Sequence, residues 1–205
     1  MPPTEPLFGH DPRLNLLPCD GQAYYHGPLL PDAVATRHFD ALLASVPWQH
    51  DELTMGGRRV VTARQVAWIG DSRFAYTYSG VTHEASAWTP QLLELKALVE
   101  QHCGVTFNAC LLNLYHSGLE GMGWHSDDES SLVPGAPIAG LSLGACRRFA
   151  FRHKRTGEKR EVLLEHGSLV VMAGDTQRYW QHSVPKATRV HTARVSLTFR
   201  TMVGE

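Results

Sequence analysis

The sequence lacks long apolar runs: the longest, such as residues 169–173, have about five residues, against the roughly 18 that a membrane-spanning helix needs. Cysteine is scarce, and the four cysteines form no CxxC pair, which excludes zinc-finger spacing and a dense disulfide framework. Neither charge is in excess, since 19 Lys and Arg face 20 Asp and Glu. We therefore expect no membrane partner and a reduced intracellular compartment, with any polyanion contact confined to a local patch.

We also expect no secretory signal at the N-terminus, because residues 1–13 contain four prolines and charges of both signs. The composition that is present suits one folded domain. The chain has 205 residues, of which 43% are hydrophobic and 19% charged, so a sizeable core can be buried. Twelve histidines are more than a chain of this size needs, and they prompt a search for metal ligands.

Helical spacing of apolar residues appears twice in the N-terminal half. It predicts helices over 31–46 and 89–103, the second with Thr89 as N-cap, Pro90 at the first helical position and Gly104 at its end. Between the helices, residues 53–61 resemble a hairpin that turns at Gly56-Gly57. Short strands follow at 65–69 and 74–78.

Short strand-like runs dominate the C-terminal half, and turn residues separate them. They lie at 109–115, 138–144, 148–154, 161–165, 168–173 and 193–200. This density of strands favours a sandwich or jelly roll. We predict an α+β, mainly β fold in one structural domain, with an irregular arm (1–20), an α/β extension (21–104) and a β core (105–205).

His125-Ser126-Asp127 is the first candidate metal site. In an extended segment, residues i and i+2 point to the same side, so one imidazole and one carboxylate can meet at one ion. The pair alone is a weak signal, because His-x-Asp is common by chance. With His182 as third ligand it would form the facial triad that suits non-haem Fe(II). On composition alone other histidines compete for the third place, namely His116, His153, His166 and His191.

Two strand-like runs place polar residues on one face and apolar residues on the other. In ARVSLTFR the polar face carries Arg194, Ser196, Thr198 and Arg200. Arginines that face inward are costly to bury unless they pair with anions, and a dicarboxylate ligand could bind them through bidentate hydrogen bonds. The alternative is that this polar face of the strand lies in water. In LLNLYH, Asn113 and Tyr115 repeat the pattern, either as further carboxylate contacts or as core residues with local partners.

Taken in order, Asn-x-Tyr, His-x-Asp, His and Arg-x5-Arg resemble the AlkB-like Fe(II)/2-oxoglutarate dioxygenases that repair alkylated nucleic acids. The stretches FAYTYSG, NLYHSGLEGMGWHSDDE, SLGACRRFAFRHK and RVSLTFR are also similar to that family, especially to its mammalian nuclear DNA-repair branch. The similarity covers roughly residues 50–200. It implies a double-stranded β-helix (jelly-roll) core with an N-terminal nucleotide-recognition extension and two main supporting helices.

The resemblance also implies roles for individual residues. His125, Asp127 and His182 would hold Fe(II). Arg194 and Tyr115 would bind the distal carboxylate of 2-oxoglutarate, while Asn113 and Arg200 would contact its iron-chelating end and Thr198 would line the pocket. The flipped base would lie between Tyr78 and His125, positioned by Tyr76, Ser79, Asp128 and Glu129. With O2, such a site demethylates N1-methyladenine and N3-methylcytosine and releases succinate, CO2 and formaldehyde.

Basic residues cluster in 147–160, and Arg148, Arg152 and Lys154 are candidate phosphate contacts there; the alternative is a solvated hairpin tip. The resembling branch carries an aromatic wedge where this chain has Met55. We therefore expect Arg58, Arg59 and Arg64 to help grip the backbone, with single strands handled at least as well as duplexes. No sequence feature separates DNA from RNA.

The expected protein is a monomer, nucleoid-associated in a bacterial cytoplasm or nuclear in a eukaryote. Two other interpretations stay open: a dioxygenase of the same fold that hydroxylates a protein or small molecule, and a non-enzymatic jelly-roll binding module.

Overall fold

A computed structural model describes residues 11–55, 58–71, 75–78 and 81–203, with residues 51–55, 58–60, 75–78 and 81–84 described by their backbone. Its helices are α1 (Asp32–Ser45), α2 (Pro90–Cys103) and the short α3 (Thr176–Tyr179). Its strands are β1 (Gln22–Pro28), β2 (Gln49–Met55), β3 (Arg58–Gly70), β4 (Ala75–Tyr78), β5 (Val81–Glu84), β6 (Ala109–Tyr115), β7 (Met122–His125), β8 (Ile138–Gly144), β9 (Arg147–His153), β10 (Lys159–Leu164), β11 (Ser168–Ala173), β12 (Trp180–Val184) and β13 (Arg194–Arg200).

Two antiparallel sheets form the body of the molecule. The larger has the order β1-β11-β8-β13-β6-β3-β2, and the smaller has the order β10-β9-β12-β7. Strands β4 and β5 form a separate hairpin. Neighbours in each sheet are mostly distant in sequence, as in the predicted jelly roll, so the α+β, mainly β fold class is confirmed.

The larger sheet packs its two faces against different partners. Its outer face meets the apolar sides of α1 and α2, where Leu42, Leu92 and Val99 are buried with Leu197 and Phe199 of β13. Its inner face turns towards the smaller sheet, where a second apolar cluster includes Phe151 and Trp180. The alternating residues of β13 thus meet a helix layer on one side and the space between the sheets on the other.

Both long helices form where their spacing predicts them. The Thr89 hydroxyl accepts a hydrogen bond from Leu92 N at 3.3 Å, and Pro90 occupies the first turn. Gly104 ends α2 with φ 69°, a left-handed conformation that a residue with a Cβ rarely adopts.

Several boundaries differ from the prediction. The segments predicted at 53–61 and 65–69 belong to one hairpin, because β3 runs unbroken from Arg58 to Gly70; its Gly56-Gly57 turn lies outside the described residues. The sequence pattern does not predict β1, β5, β7, β12 or α3. Residues 11–20 form no helix or strand, yet they are anchored, since Leu17 is buried and Cys19 O accepts a hydrogen bond from Trp180 Nε1 at 2.9 Å. Within the described residues, no helix is long and apolar enough to cross a membrane.

Candidate active site

The candidate metal ligands meet where β7 and β12 pair. His125 ends β7 and lies directly opposite His182 in the antiparallel register, and an irregularity follows between His182 and Val184. Asp127 lies two residues past His125, where the chain leaves the sheet. Ser126 Oγ donates to Trp180 O at 3.0 Å and holds this exit against β12. Cross-strand pairing therefore unites ligands that are 57 positions apart in sequence (182 minus 125).

The three side chains converge closely enough for one ion. His125 Nε2 lies 3.8 Å from Asp127 Oδ1, and His182 Nε2 lies 3.9 Å from Asp127 Oδ2. One ligand atom from each residue falls within 4.8 Å of the others. His125 Nδ1 lies 2.9 Å from Gly123 O, and as a donor to that carbonyl it leaves the Nε2 lone pair for a metal. Two imidazoles and one carboxylate are the donor set of a facial Fe(II) site.

Burial and neighbouring charges determine the protonation states of His182 and Asp127. Burial lowers the pKa of His182 to about 3, because a desolvated imidazole resists protonation more strongly than Asp127 promotes it. The ring is therefore neutral and able to donate its lone pair. Burial alone would raise the pKa of Asp127, but Arg200 and the two histidines outweigh it, and the pKa is lowered. The site thus offers a neutral imidazole from His182 and an anionic carboxylate from Asp127, and neither needs prior deprotonation.

The three candidate ligands line a cavity, and Arg194 of β13 contributes a guanidinium to it. Arg194 is 2% exposed, its Nε donates to Ser142 Oγ at 2.8 Å and its Nη2 donates to Ser196 Oγ at 3.3 Å. Its Cζ lies 5.5 Å from the centre of the Tyr115 ring. Burial lowers the pKa of Arg194 to about 10, so the group stays charged at neutral pH. Its Nη1 is buried with no hydrogen-bond partner among the described residues, which fits a carboxylate ligand.

The end of the cavity beside Asp127 contains a second guanidinium. Arg200 Nη2 lies 3.1 Å from Asp127 Oδ1, and Arg200 Nη1 donates to Glu129 Oε1 at 3.4 Å. Asn113 is also buried in the cavity wall, where it lies opposite Ser196 of β13 and accepts a hydrogen bond from Arg64 Nη1. The alternative of a polar β13 face in water is therefore wrong, because both arginines of the strand are at most 3% exposed.

All eight residues predicted for metal and 2-oxoglutarate line this one cavity, which encloses about 130 Å³. They are His125, Asp127, His182, Asn113, Tyr115, Arg194, Thr198 and Arg200.

The competing histidines lie elsewhere with other partners. His116 pairs with Glu120 at 3.0 Å, and His153 lies 3.2 Å from Asp20 Oδ2. His166 Nδ1 accepts from Gly144 N at 2.8 Å. His191 is exposed. None of the four is in the His125–Asp127–His182 group.

The predicted base contacts are only partly described. Tyr76 and Tyr78 are seen as backbone in β4, paired with β5, and Ser79 lies outside the described residues. Asp128 is exposed, whereas Glu129 is half-buried and turned towards Arg200. Met55, Arg58 and Arg59 are likewise described by their backbone, which forms the tip of the β2–β3 hairpin.

Arg64 requires a correction. Its place in the sequence predicts a grip on the nucleic-acid backbone, but it is 4% exposed, lines the cavity and donates to Asn113. A guanidinium buried to this degree cannot lie against phosphates at the surface. Its bond to a neutral amide oxygen makes it part of the pocket wall instead.

The basic run on β9 and β10 is less free than its composition suggests. Arg148 lies 3.5 Å from Glu161 Oε2, and Lys154 Nζ donates to Gln177 O at 2.8 Å. Arg152 lies over the Trp124 ring, with its Cζ 4.5 Å from the ring centre, and donates to Gln181 Oε1. These three side chains remain partly or fully exposed at their outer ends. Arg147 is buried and donates to the backbone oxygens of Ser117, Glu120 and Pro185.

Two contributors to the site give little sequence signal. Ser142 is 1% exposed and orients Arg194 from the neighbouring strand β8, and only the alternation of LSLG places it on the inner face. Gln177 accepts a hydrogen bond from Asp127 N at 2.9 Å across a sequence distance of 50 residues, which no local pattern reveals.

Comparison with known proteins agrees with this geometry. The sequence profile of the 2OG-Fe(II) oxygenase superfamily matches residues 21–200. The chain therefore belongs to that superfamily, whose members are dioxygenases that use Fe(II), 2-oxoglutarate and O2. Within it the chain is AlkB-like. It is 44% identical over 145 residues to the DNA oxidative demethylase ALKBH2 of Mus musculus, covering 67% of this chain and 61% of that protein.

Other relatives support the same placement. The alpha-ketoglutarate-dependent dioxygenase alkB homolog 3 of Rattus norvegicus is 41% identical over 176 residues, covering 80% of this chain and 58% of its own length. The chain thus spans about three fifths of the length of the curated relatives it matches. In the structure of OsALKBH1, the similar fold has a TM-score of 0.55 at 17% identity, covering 82% of this chain and 91% of that one.

Proposed function

We propose that the protein removes methyl groups from N-alkylated nucleic-acid bases by oxidative demethylation. The observation that carries the proposal is the cavity in which the His125–Asp127–His182 group shares its walls with the buried, incompletely bonded Arg194. The names of the relatives, a DNA oxidative demethylase among them, support an alkylated base as substrate. The proposed substrates are N1-methyladenine and N3-methylcytosine in DNA.

Each cavity residue has a proposed part. His125, Asp127 and His182 would hold Fe(II), which with 2-oxoglutarate and O2 supplies the oxidising chemistry that hydroxylates the N-methyl group, so that it leaves as formaldehyde. Arg194 and Tyr115 would bind the distal carboxylate. Arg200 and Asn113 would contact the other end, Arg64 would hold the Asn113 amide in place, and Thr198 would line the pocket. The apolar cavity walls would exclude water from the reacting atoms.

The substrate base would enter beside His125. Asp128 and Glu129 follow the metal ligands directly, and carboxylates suit these two lesions because both bases are positively charged. Tyr76 and Tyr78 lie in β4, Ser79 follows them in sequence, and the three are proposed to stack on or position the base. A methyl group on the Watson–Crick edge weakens pairing, which lowers the cost of flipping the base out.

Two hairpins, β2–β3 and β9–β10, carry the basic residues from which we propose a preference between single-stranded and duplex substrates. Met55, Arg58 and Arg59 lie at the tip of β2–β3, where methionine replaces an aromatic wedge and is a weaker tool for separating stacked bases. Arg148, Arg152 and Lys154 would contact phosphates from β9 and the turn that follows it. We propose that single strands are repaired at least as fast as duplexes.

The decisive experiment is mass spectrometry of a short oligonucleotide with one N1-methyladenine or N3-methylcytosine. The protein is incubated with it, Fe(II), ascorbate and O2, with and without 2-oxoglutarate, beside Asp127→Ala. A loss of one CH2 that requires both 2-oxoglutarate and Asp127 is the expected result. Matched duplex and RNA substrates then rank the strands. Succinate without any mass change would overturn the base substrate and leave a dioxygenase with another target.

A further inference from the structure

Gln177 touches the candidate metal centre without being one of its ligands. Its Oε1 accepts a hydrogen bond from the backbone N–H of Asp127 at 2.9 Å. Asp127 itself is 5% exposed. A backbone amide buried at this depth requires a partner, and the loss of one leaves a desolvated N–H.

The sheet cannot supply that partner. The register of β7 with β12 ends at the pair His125 and His182, and Asp127 lies beyond it. The chain then enters the loop at 128–137, which together with Asp127 lines a second cavity of about 610 Å³. Gln177 lines the same cavity and reaches across to the amide. A side chain thus replaces the ladder hydrogen bond at the point where a metal ligand leaves its strand.

Gln177 is held through its backbone, its side chain and the residue before it. Its own backbone oxygen accepts from Lys154 Nζ at 2.8 Å, and its Nε2 lies 3.5 Å from Met172 Sδ. The preceding Thr176 is 1% exposed and ties α3 to β1 and β11, because its hydroxyl accepts from Gln22 N at 2.8 Å and donates to Ala173 O at 2.7 Å. The Gln177 acceptor oxygen therefore belongs to an anchored turn, which suits it to hold the Asp127 backbone in place.

We propose that Gln177 is a positioning residue for the metal site: its amide oxygen fixes the backbone of Asp127 and so the direction of the carboxylate between His125 and His182. The inference rests on the proposed role of Asp127 as an iron ligand. Carboxylate ligands with a misdirected backbone must reorganise before binding, and residues that orient metal ligands commonly contribute about 10- to 100-fold to metal affinity.

Three substitutions separate hydrogen bonding from packing. Gln177→Met keeps the side-chain length but removes the acceptor, so we expect about 10- to 100-fold weaker binding of Mn(II). Gln177→Ala opens space beside a large cavity, and water can then accept from Asp127 N, so its loss is expected to be smaller, about 10-fold or less. Gln177→Glu retains an acceptor oxygen and is expected to bind about as tightly as the unaltered protein. A residue that merely fills space would give the opposite order, with alanine worse than methionine.

Mn(II) affinity of the full chain is measured by the loss of the free-ion electron paramagnetic resonance signal. The absorption bands of bound Co(II) report ligand geometry independently of turnover. Gln181→Met is the matched control, since Gln181 neighbours His182 but bonds outward to Arg152, and its Mn(II) affinity should not change. Thermal unfolding of each metal-free variant verifies that it is folded.

Asp127→Ala distinguishes failure of the positioning role of Gln177 from failure of the proposed metal site. If it weakens Mn(II) binding while Gln177→Met does not, or if alanine proves worse than methionine at 177, the positioning role is overturned and the metal site stands. If Asp127→Ala binds Mn(II) as tightly as the unaltered protein, the proposed metal site itself is wrong.

Discussion

Replacing Arg194 with methionine tests the carboxylate end of the cavity. The guanidinium is fully inside the protein, with two donors taken by Ser142 and Ser196 and Nη1 unpaired among the described residues. Methionine has a comparable apolar length and removes the charge. We expect the KM for 2-oxoglutarate to rise strongly, while the fold is retained.

The size of the effect follows from the hydrogen bonds lost. A hydrogen bond to a charged group contributes about 1.5–3 kcal/mol. A bidentate carboxylate would lose two, or about 3 kcal/mol at the lower limit, which corresponds to roughly a 100-fold weaker interaction. Arg194→Lys keeps a positive charge but lacks the planar fork, so we expect an intermediate loss of about 10-fold.

The thermal stability of the protein without 2-oxoglutarate should not fall in Arg194→Met, although cosubstrate binding should weaken. A buried guanidinium without an anion carries a desolvation cost, so the cosubstrate-free Arg194→Met protein should unfold at the same temperature as the unaltered one or higher. Succinate formation at varied 2-oxoglutarate gives the KM, and thermal unfolding with Mn(II) present shows whether 2-oxoglutarate still stabilises the variant. A KM within about twofold of the unaltered value, with stabilisation by 2-oxoglutarate preserved, would refute the assignment of Arg194 to the distal carboxylate.

Three further outcomes are expected. Because burial lowers the pKa of His182 to about 3, unfolded chains bind a proton below pH 6.5 that native chains refuse, so the metal-free protein should lose up to about 1.4 kcal/mol per pH unit as pH falls from 6.5 towards 3. Urea unfolding at several pH values measures this slope, and it should flatten in His182→Gln. Gly118→Ala would place a Cβ in steric clash with Ala187 O and should cost about 3 kcal/mol or more, whereas Gly123→Ala, with nothing within 4 Å, should cost less than about 0.5 kcal/mol. Equal unfolding free energies for the two variants would contradict this. Thr89→Ala should lower stability by about 1 kcal/mol and Thr89→Ser by much less, and similar losses in both would exclude the cap as the cause.

Strands with one apolar face are predictable because their alternation is local. β6, β8 and β11 have the predicted bounds, and β13 differs by one residue at its start. In β6 and β13 the apolar face packs towards the helices and the polar face lines the cavity, and this difference appears directly as period-two alternation; β11 is instead a continuous apolar run. The same local alternation is sufficient to place Asn113 with Tyr115, and Arg194 with Arg200, on the polar faces of their strands.

The strands that carry the metal ligands escape prediction for a physical reason. β7 has four residues and contains a glycine, and β12 has five, so neither has enough alternation to distinguish it from a loop. Their pairing is a contact between distant segments. Position alone therefore cannot select His182 from five candidate histidines, and the ordered motif set is needed to select it.

Arg64 shows a second limit of local sequence patterns, because it is predicted to lie at the surface and is found buried. Composition groups it with Arg58 and Arg59 as a surface cation, because a charge is rarely buried without compensation. The compensation here comes from Asn113 on the neighbouring strand, 49 residues away. Gln177 is the same case with the roles reversed, since it is a neutral amide that completes a buried backbone group 50 residues distant. Periodicity identifies the face of a strand on which a side chain lies, but not the polar partner that another segment brings to it. Residues that support the cavity through contacts with distant segments therefore become visible only in the folded structure.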